Sequence, residues 1–440
     1  MTESVDLLIA ARWIIPIEPE GVVLERHSVA VRAGRIVALL PTADAMSRFT
    51  ADETIDLPDQ VLLPGLVNLH THAAMSLLRG IADDVPLMTW LSEHIWPAEG
   101  RFVSEAFVRD GTLLACAEML RGGITCCNDM YFFPGAAIEA AGTVGMRFVA
   151  GIATLEFPTP YASDADDYLR KGLAVRDACR ELPEVHFCLA PHAPYTVGDE
   201  TFTRVVTLAE QLDLPVHIHV HETASEISDS IAQHGERPLA RLARLNLLGP
   251  STIAVHAVHL DASDVDLLAA HNVSVAHCPS SNLKLASGIA PITHLAARGI
   301  NIGLGTDGAA SNNRLDLLGE MRLAALLAKG VSGDATAIDA HAALRMATIN
   351  GARALGLDSL IGSLVAGKAA DLCAIRLADP ETLPCYQVAS HLAYVAGREQ
   401  VSDVWVAGRR RVASGRLLAV DDGVLARRAQ SWGERIAAAH

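Results

Sequence analysis

The chain has 440 residues, half of them hydrophobic and a fifth charged, which excludes a disordered or fibrous protein and leaves room for a barrel of roughly 250 residues plus a second unit. Its 35 Lys and Arg against 51 Asp and Glu give a formal charge of −16, which argues against nucleic acid and anionic membrane as partners. The start, MTESVDLL, lacks a signal-peptide pattern and no apolar run is long enough to span a bilayer, so with eight cysteines and no CxxC pair a cytoplasmic protein with reduced, buried thiols is expected.

In chain order, residues 1–60 read as short strands: VDLLIAARWIIPI, HSVAVRAGRIVAL and ADETIDLPD carry β-branched alternation with turn residues between them. Over 61–364 the pattern changes to short apolar runs separated by longer helical segments such as SEAFVRDGTLLACAEMLRGG. That alternation signals βα units and a parallel sheet. The runs are VLLPGLVNLH, GITCCND, GMRFVAG, EVHFCLAPH, LPVHIHV, STIAVHAVH, NVSVAHCP and INIGLGTD. Eight strands with eight crossovers predict an α/β fold, a (β/α)8 barrel of the TIM type. Strand texture returns over 365–420, in KAADLCAIRL, VSDVWVAGRRRVASG and RLLAV. Neither end alone has enough strands for a stable sheet, so together they predict one composite β-sandwich domain. Residues 421–440 are expected to form a C-terminal helix.

Nearly every barrel run ends in a histidine or aspartate: His70 and His72, Asp129, His192, His219, His256, His277, Asp307. Parallel strands share a direction, so these ends converge on the face where barrel enzymes place their chemistry. His70 and His72 are two apart on a strand, so both rings point the same way and two imidazoles can share an ion. Alone, this HxH is as well explained by core packing. His217, His219 and His221 also share one side, at different depths. His219 is the expected ligand, nearest the mouth while still on the strand. His217 reads as a satisfied buried histidine, and His221 as core or as support behind a ligand. Asp307 in LGTDGAASNN reads alone as a turn or cap residue; with three histidines on the same rim it reads as a ligand.

Three histidines and an aspartate leave a coordination position open for water, the mark of a catalytic site. One divalent ion per subunit is expected, Zn²⁺ first, although Fe²⁺, Mn²⁺ and Co²⁺ also suit nitrogen and oxygen donors. Glu222, three residues past His219, is placed to shuttle the water's proton; as a surface residue it would merely open a helix. His256 closes its strand and is placed to orient the nucleophile, ahead of His259, which lies beyond the strand.

The segments PGLVNLHTH, IHVHET, HAVHLD, HCPSSNLKLASGIAPI, LGTDGAASNN and GSLVAGKAADL, in this order over nearly the whole chain, resemble the amidohydrolase superfamily. Within it they are similar to the branch of 5′-methylthioadenosine/S-adenosylhomocysteine deaminases and triazine hydrolases. The resemblance implies His70, His72, His219 and Asp307 as ligands of one ion, usually zinc, with Glu222 and His256 as proton shuttle and orienting group. It implies that Glu99 and Trp90, in MTWLSEHIWPAEGRF, hold the ribose and wall the pocket, and that His192, in APHAPYT, contacts the purine. Without it, Glu99 reads as a solvated helix-start residue. It also implies a homo-oligomer, a dimer or tetramer.

One segment departs from the branch. Members that take S-adenosylhomocysteine well carry an Arg just after GMR, where Ala150 aligns here. A carboxylate tail needs a cationic clamp. The expected substrate is therefore a small-molecule nucleoside, 5′-methylthioadenosine first, with S-adenosylhomocysteine or adenosine behind it, deaminated hydrolytically at C6. Rivals are a triazine, guanine or cytosine amino- or chlorohydrolase and, from another class, a non-catalytic metal-containing binding protein. The cytidine-deaminase type of zinc site needs PCxxC, which Pro384-Cys385 does not complete.

Overall fold

A computed structural model describes residues 2–438. Its strands, in chain order, are β1 (Glu3–Ile14), β2 (Leu24–Arg32), β3 (Arg35–Pro41), β4 (Phe49–Pro64), β5 (Leu66–Thr71), β6 (Ile124–Asp129), β7 (Arg147–Thr154), β8 (Val185–Pro191), β9 (Val216–Val220), β10 (Thr252–His256), β11 (Ser274–His277), β12 (Ile302–Leu304), β13 (Leu372–Arg376), β14 (Val401–Val406), β15 (Arg409–Ala413) and β16 (Arg416–Leu417). They form two eight-stranded sheets. One runs β16-β15-β14-β13-β4-β1-β2-β3 and takes strands from both termini; the other holds β5 to β12 in sequence order.

The terminal sheet is joined across β4 and β13, antiparallel, with Leu62 opposite Ala374. Side chains two apart enter one core: Leu7, Ile9 and Ala11 of β1, Val29 and Val31 of β2, Ile55 and Leu57 of β4, Leu372 and Ala374 of β13, closed by Trp405. The period of two that marked these segments as strands is the period of a pleated face. The run VLLPGLVNLH, read from sequence as one strand, is divided between the two sheets. The division falls at Gly65, where a side chain has no room: a Cβ would lie 2.1 Å from Thr125 Oγ1.

The second ladder is parallel where its pairing is resolved, as between β7 and β8, β9 and β10, and β10 and β11. β12 is shorter than its run INIGLGTD suggests. Past it the backbone leaves regular pairing to reach both neighbours: Gly305 N–H donates to His277 O, and Asp307 N–H donates to His70 O. Thr306 N–H donates to Asn68 Oδ1, and Asn68 Nδ2 donates back to Thr306 Oγ1. These bonds bring the end of the last strand onto the first, so the nearly closed barrel brings Asp307 beside His70.

The chain divides into two compact units, one built from residues through Val67 with Ala117–Cys126 and Asp316–Val420, the other from Asn68–Cys116, Cys127–Leu315 and the segment from Asp421 on. The second unit contains every residue singled out above as a ligand, shuttle or substrate contact. Its last helix, Asp422–Ala437, is fastened to the helix Glu105–Arg121 by Trp432, whose indole donates to Asp110 Oδ2 and stacks edge-on against Phe107. No helix among the described residues is long and apolar enough to cross a membrane.

Gly305 has no room for a side chain: a Cβ would stand 2.8 Å from His70 Cβ and 2.9 Å from Cys278 Sγ. Gly305→Ala is expected to destabilise the protein by about 1–3 kcal/mol, as overpacking does. It should also lower bound metal, because the displaced neighbour is His70. Thermal unfolding and metal analysis of the variant check both effects.

Candidate active site

Each of the expected ligand histidines has its far ring nitrogen engaged. His72 Nδ1 lies 2.6 Å from Met130 O, and His219 Nδ1 lies 2.7 Å from His192 O. A carbonyl only accepts, so both Nδ1 atoms carry a hydrogen, which in a neutral ring leaves Nε2 as the lone-pair nitrogen. His70 Nδ1 meets His217 Nε2 at 3.0 Å. The three Nε2 atoms converge. His219 Nε2 is 3.3 Å from His70 Nε2, and Asp307 Oδ1 is 3.2 Å from His70 Nε2 and 3.4 Å from His72 Nε2. Burial pushes His70 down to about 4, and His219 well below the ordinary imidazole value, so neither ring is charged at neutral pH.

Imidazole nitrogens and a carboxylate oxygen facing one another this closely are suited to a cation lying among them. The donor set therefore fits a divalent ion, with His70, His72, His219 and Asp307 as the residues that would hold it. His70, His72 and His219 form one group of close donors, and His70, His256 and Asp307 another. The other oxygen of Asp307 accepts Ser281 Oγ at 2.6 Å, which fixes the carboxylate plane.

Several of these residues sit where strand geometry ends. His256 has φ 71° and Asp307 φ 60°, both left-handed, a region that His and Asp enter more readily than most side chains. Such conformations cost about 1–3 kcal/mol and persist where the surroundings over-determine them. His256 Nδ1 pairs with Asn282 Oδ1 at 2.8 Å, leaving Nε2 3.8 Å from Glu222 Oε2. Burial raises the Glu222 carboxyl above its ordinary range, against His256, which lowers it.

His221 departs from the strand alternation expected of it. Its φ is 56°, and its ring turns to His259 O and to the backbone N–H of Leu239, away from the donor cluster. His217 is one layer below, against His70.

The cluster opens on a cavity whose space, counted together with the solvent at its mouth, is about 840 Å³. His72, His219, Glu222, His256 and Asp307 line it together with Trp90, Glu99 and His192. Glu99 is not a solvated helix-start residue: it accepts the Tyr131 hydroxyl at 2.7 Å, and burial raises it to about 7. His192 Nδ1 pairs with Thr196 Oγ1 at 3.0 Å. The Trp90 indole N–H is buried without a partner. Sequence reasoning missed Tyr131, Phe132 and Tyr195, which also line the cavity, and Ser281 and Asn282, which brace the cluster. Only the quoted HCPSSN segment carried a signal for the last two. No Lys or Arg is among the described lining residues.

Residues 61–411 match the amidohydrolase family, and the chain belongs to it. The 5-methylthioadenosine/S-adenosylhomocysteine deaminase of Saccharophagus degradans is 49% identical over 433 residues, 98% of this chain and 97% of that one. The zinc-bound structure of an adenosine deaminase from Xanthomonas campestris is similar with a TM-score of 0.98 at 51% identity, covering 100% of both chains. That of zinc-bound atrazine chlorohydrolase from Arthrobacter aurescens is similar with a TM-score of 0.89 at 26% identity, covering 97% of this chain and 99% of that one.

His219→Ala and Asp307→Ala are each expected to lose bound metal and all measurable turnover, read by elemental analysis and an ammonia-release assay. Glu222→Gln should retain metal and lose roughly 10²–10⁴-fold in rate, the size of a general acid–base contribution. Normal metal and normal rate in either ligand variant would remove that residue from the centre.

Proposed function

We propose that this chain is a zinc-dependent hydrolytic deaminase acting at C6 of an adenine nucleoside, 5′-methylthioadenosine first, releasing ammonia and 5′-methylthioinosine. The observation that carries the reading is the cavity's composition: a buried lone-pair cluster flanked by Glu222 and His256, with otherwise mainly apolar and aromatic walls. The names of the deaminase relatives, matched over nearly the full chain, support the same reading.

A bound ion lowers the pKa of a water from about 15.7 toward about 7, making the nucleophile available at neutral pH. Glu222, held near His256 and kept partly protonatable by burial, takes a proton from the water and gives it to the ring nitrogen beside C6. His256, its Nδ1–H fixed on Asn282, turns Nε2 toward the charge that develops at C6. Asp307, anchored through Ser281, relays a proton to the departing ammonia. His192 meets the purine, Glu99 accepts the ribose hydroxyls, and Trp90 walls the sugar side.

The 5′ substituent meets Leu155, Phe157 or Phe132 in this reading, with no lining cation to receive an amino-acid carboxylate. Methylthioadenosine fits such walls better than S-adenosylhomocysteine, whose charged tail would be desolvated without a partner. The reading includes a homo-oligomer, dimer or tetramer, and action in the cytoplasm, the latter supported by eight cysteines all outside disulfides.

Ammonia release from methylthioadenosine, S-adenosylhomocysteine, adenosine, guanine and an aminotriazine separates the alternatives. The expected order puts methylthioadenosine first in kcat/KM; a triazine or guanine first would overturn it. The pH profile adds a second test. Glu99 must be ionised to accept two hydroxyls, and its folded pKa lies at about 7, above the ordinary carboxyl value. Binding through it is therefore present above about pH 7 and lost as pH falls, so kcat/KM should fall on that side. Glu99→Gln should lower kcat/KM and flatten that limb.

A further inference from the structure

The two outer ligand histidines and the inner one are braced differently. His72 and His219 donate from Nδ1 to backbone carbonyls, Met130 O and His192 O, which have one hydrogen-bonding role only. His70 lies deeper, fully buried, and its Nδ1 faces no carbonyl; its partner is the Nε2 of another fully buried imidazole, His217, at 3.0 Å. The rings meet edge to face at 4.9 Å between centres. An imidazole pair is ambiguous, because either ring can be the donor.

A nitrogen that binds a metal carries no hydrogen. If His70 binds through Nε2, the atom that faces His219 and Asp307, then its hydrogen is on Nδ1 and the bond runs from His70 to His217. His217 Nε2 is then a pure acceptor, and the His217 hydrogen is forced onto Nδ1. That Nδ1 is buried and has no hydrogen-bond partner. The opposite arrangement would let His217 donate from Nε2 and leave its Nδ1 without the need for an acceptor. It would also put a hydrogen on His70 Nε2 and block it as a ligand. The chain therefore keeps a buried N–H unsatisfied in the only arrangement that frees His70.

We propose that His217 is a positioning residue for the metal centre: by accepting the His70 Nδ1–H it fixes His70 in the tautomer whose Nε2 binds the ion. This rests on His70 being a ligand. His217 is not a ligand itself, since its Nε2 is spent on His70. It does for the inner ligand what backbone carbonyls do for the outer two, and the loss of such a partner typically weakens metal binding roughly 10–100-fold. The lone nitrogen His217 leaves without a partner belongs to the same design, a local defect accepted in the fold for the sake of the site.

The test is zinc affinity of the full-length apoprotein, by competition with a chromophoric chelator, for wild type, His217→Gln, His217→Met and His70→Ala. Gln and Met have similar reach, but only Gln offers an oxygen that can accept the His70 hydrogen. His217→Met is expected to bind zinc roughly 10–100-fold more weakly, with an apoprotein melting temperature no lower than wild type. His217→Gln should restore affinity close to wild type. Wild-type affinity in His217→Met, or an equal loss in Gln and Met, would overturn the proposal. Wild-type affinity in His70→Ala would instead overturn the ligand assignment beneath it. Nitrogen NMR of the ¹⁵N-histidine-labelled zinc enzyme gives an answer that needs no folded variant: His217 is expected as the Nδ1–H tautomer, and an Nε2–H tautomer would refute the role.

Discussion

Three imidazole nitrogens and one carboxylate oxygen converge in a buried space, an arrangement suited to a cation between them. That constraint organises the second unit of the chain. Every proposed ligand is braced from behind: Met130 O behind His72, His192 O behind His219, His217 behind His70, Ser281 behind Asp307. Each brace either fixes which nitrogen carries the hydrogen or which oxygen faces inward. Burial drives His70 and His219 toward the neutral, metal-binding form, and the same burial raises Glu222 toward a state that can both take and return a proton. Burial of these side chains thus serves both the ligands and the shuttle.

Barrel geometry supplies the convergence. Parallel strands bring their ends to one face, and the ends that matter leave strand geometry there, at His256 and Asp307 through left-handed residues. The last strand contributes by its irregularity. β12 is only three residues long, and the segment beyond it pairs with His277 and then His70, drawing Asp307 to the first strand. Gly305 makes that approach feasible because no side chain stands between the backbone and His70.

Much of this was legible in the sequence because it depends on period and direction. Alternation at period two marked the terminal strands, and apolar runs ending in His or Asp marked the barrel and its working face. What was not legible depends on local φ and on contacts between distant segments. Position along the strand already separated His219 from the deeper His217 in VHIHVH, but only the positive φ of His221 turns its ring to His259 O. At Gly65 one apolar run is divided into two strands of different sheets, a division that hydropathy does not register. Glu99 looked like a surface helix residue until the fold placed Tyr131 against it. Ser281 and Asn282 are ordinary polar residues by composition; their roles come from the loop that brings them to Asp307 and His256.

The central claim is that one ion is shared by side chains from the ends of β5 and β9 and from just beyond β12. Anomalous diffraction at the zinc edge, on crystals of the zinc-loaded enzyme, measures this directly. The account predicts a single strong peak at about 2.0–2.2 Å from the Nε2 atoms of His70, His72 and His219 and from a carboxylate oxygen of Asp307. A peak elsewhere in the cavity, or one beyond bonding distance of any of these four, would contradict it.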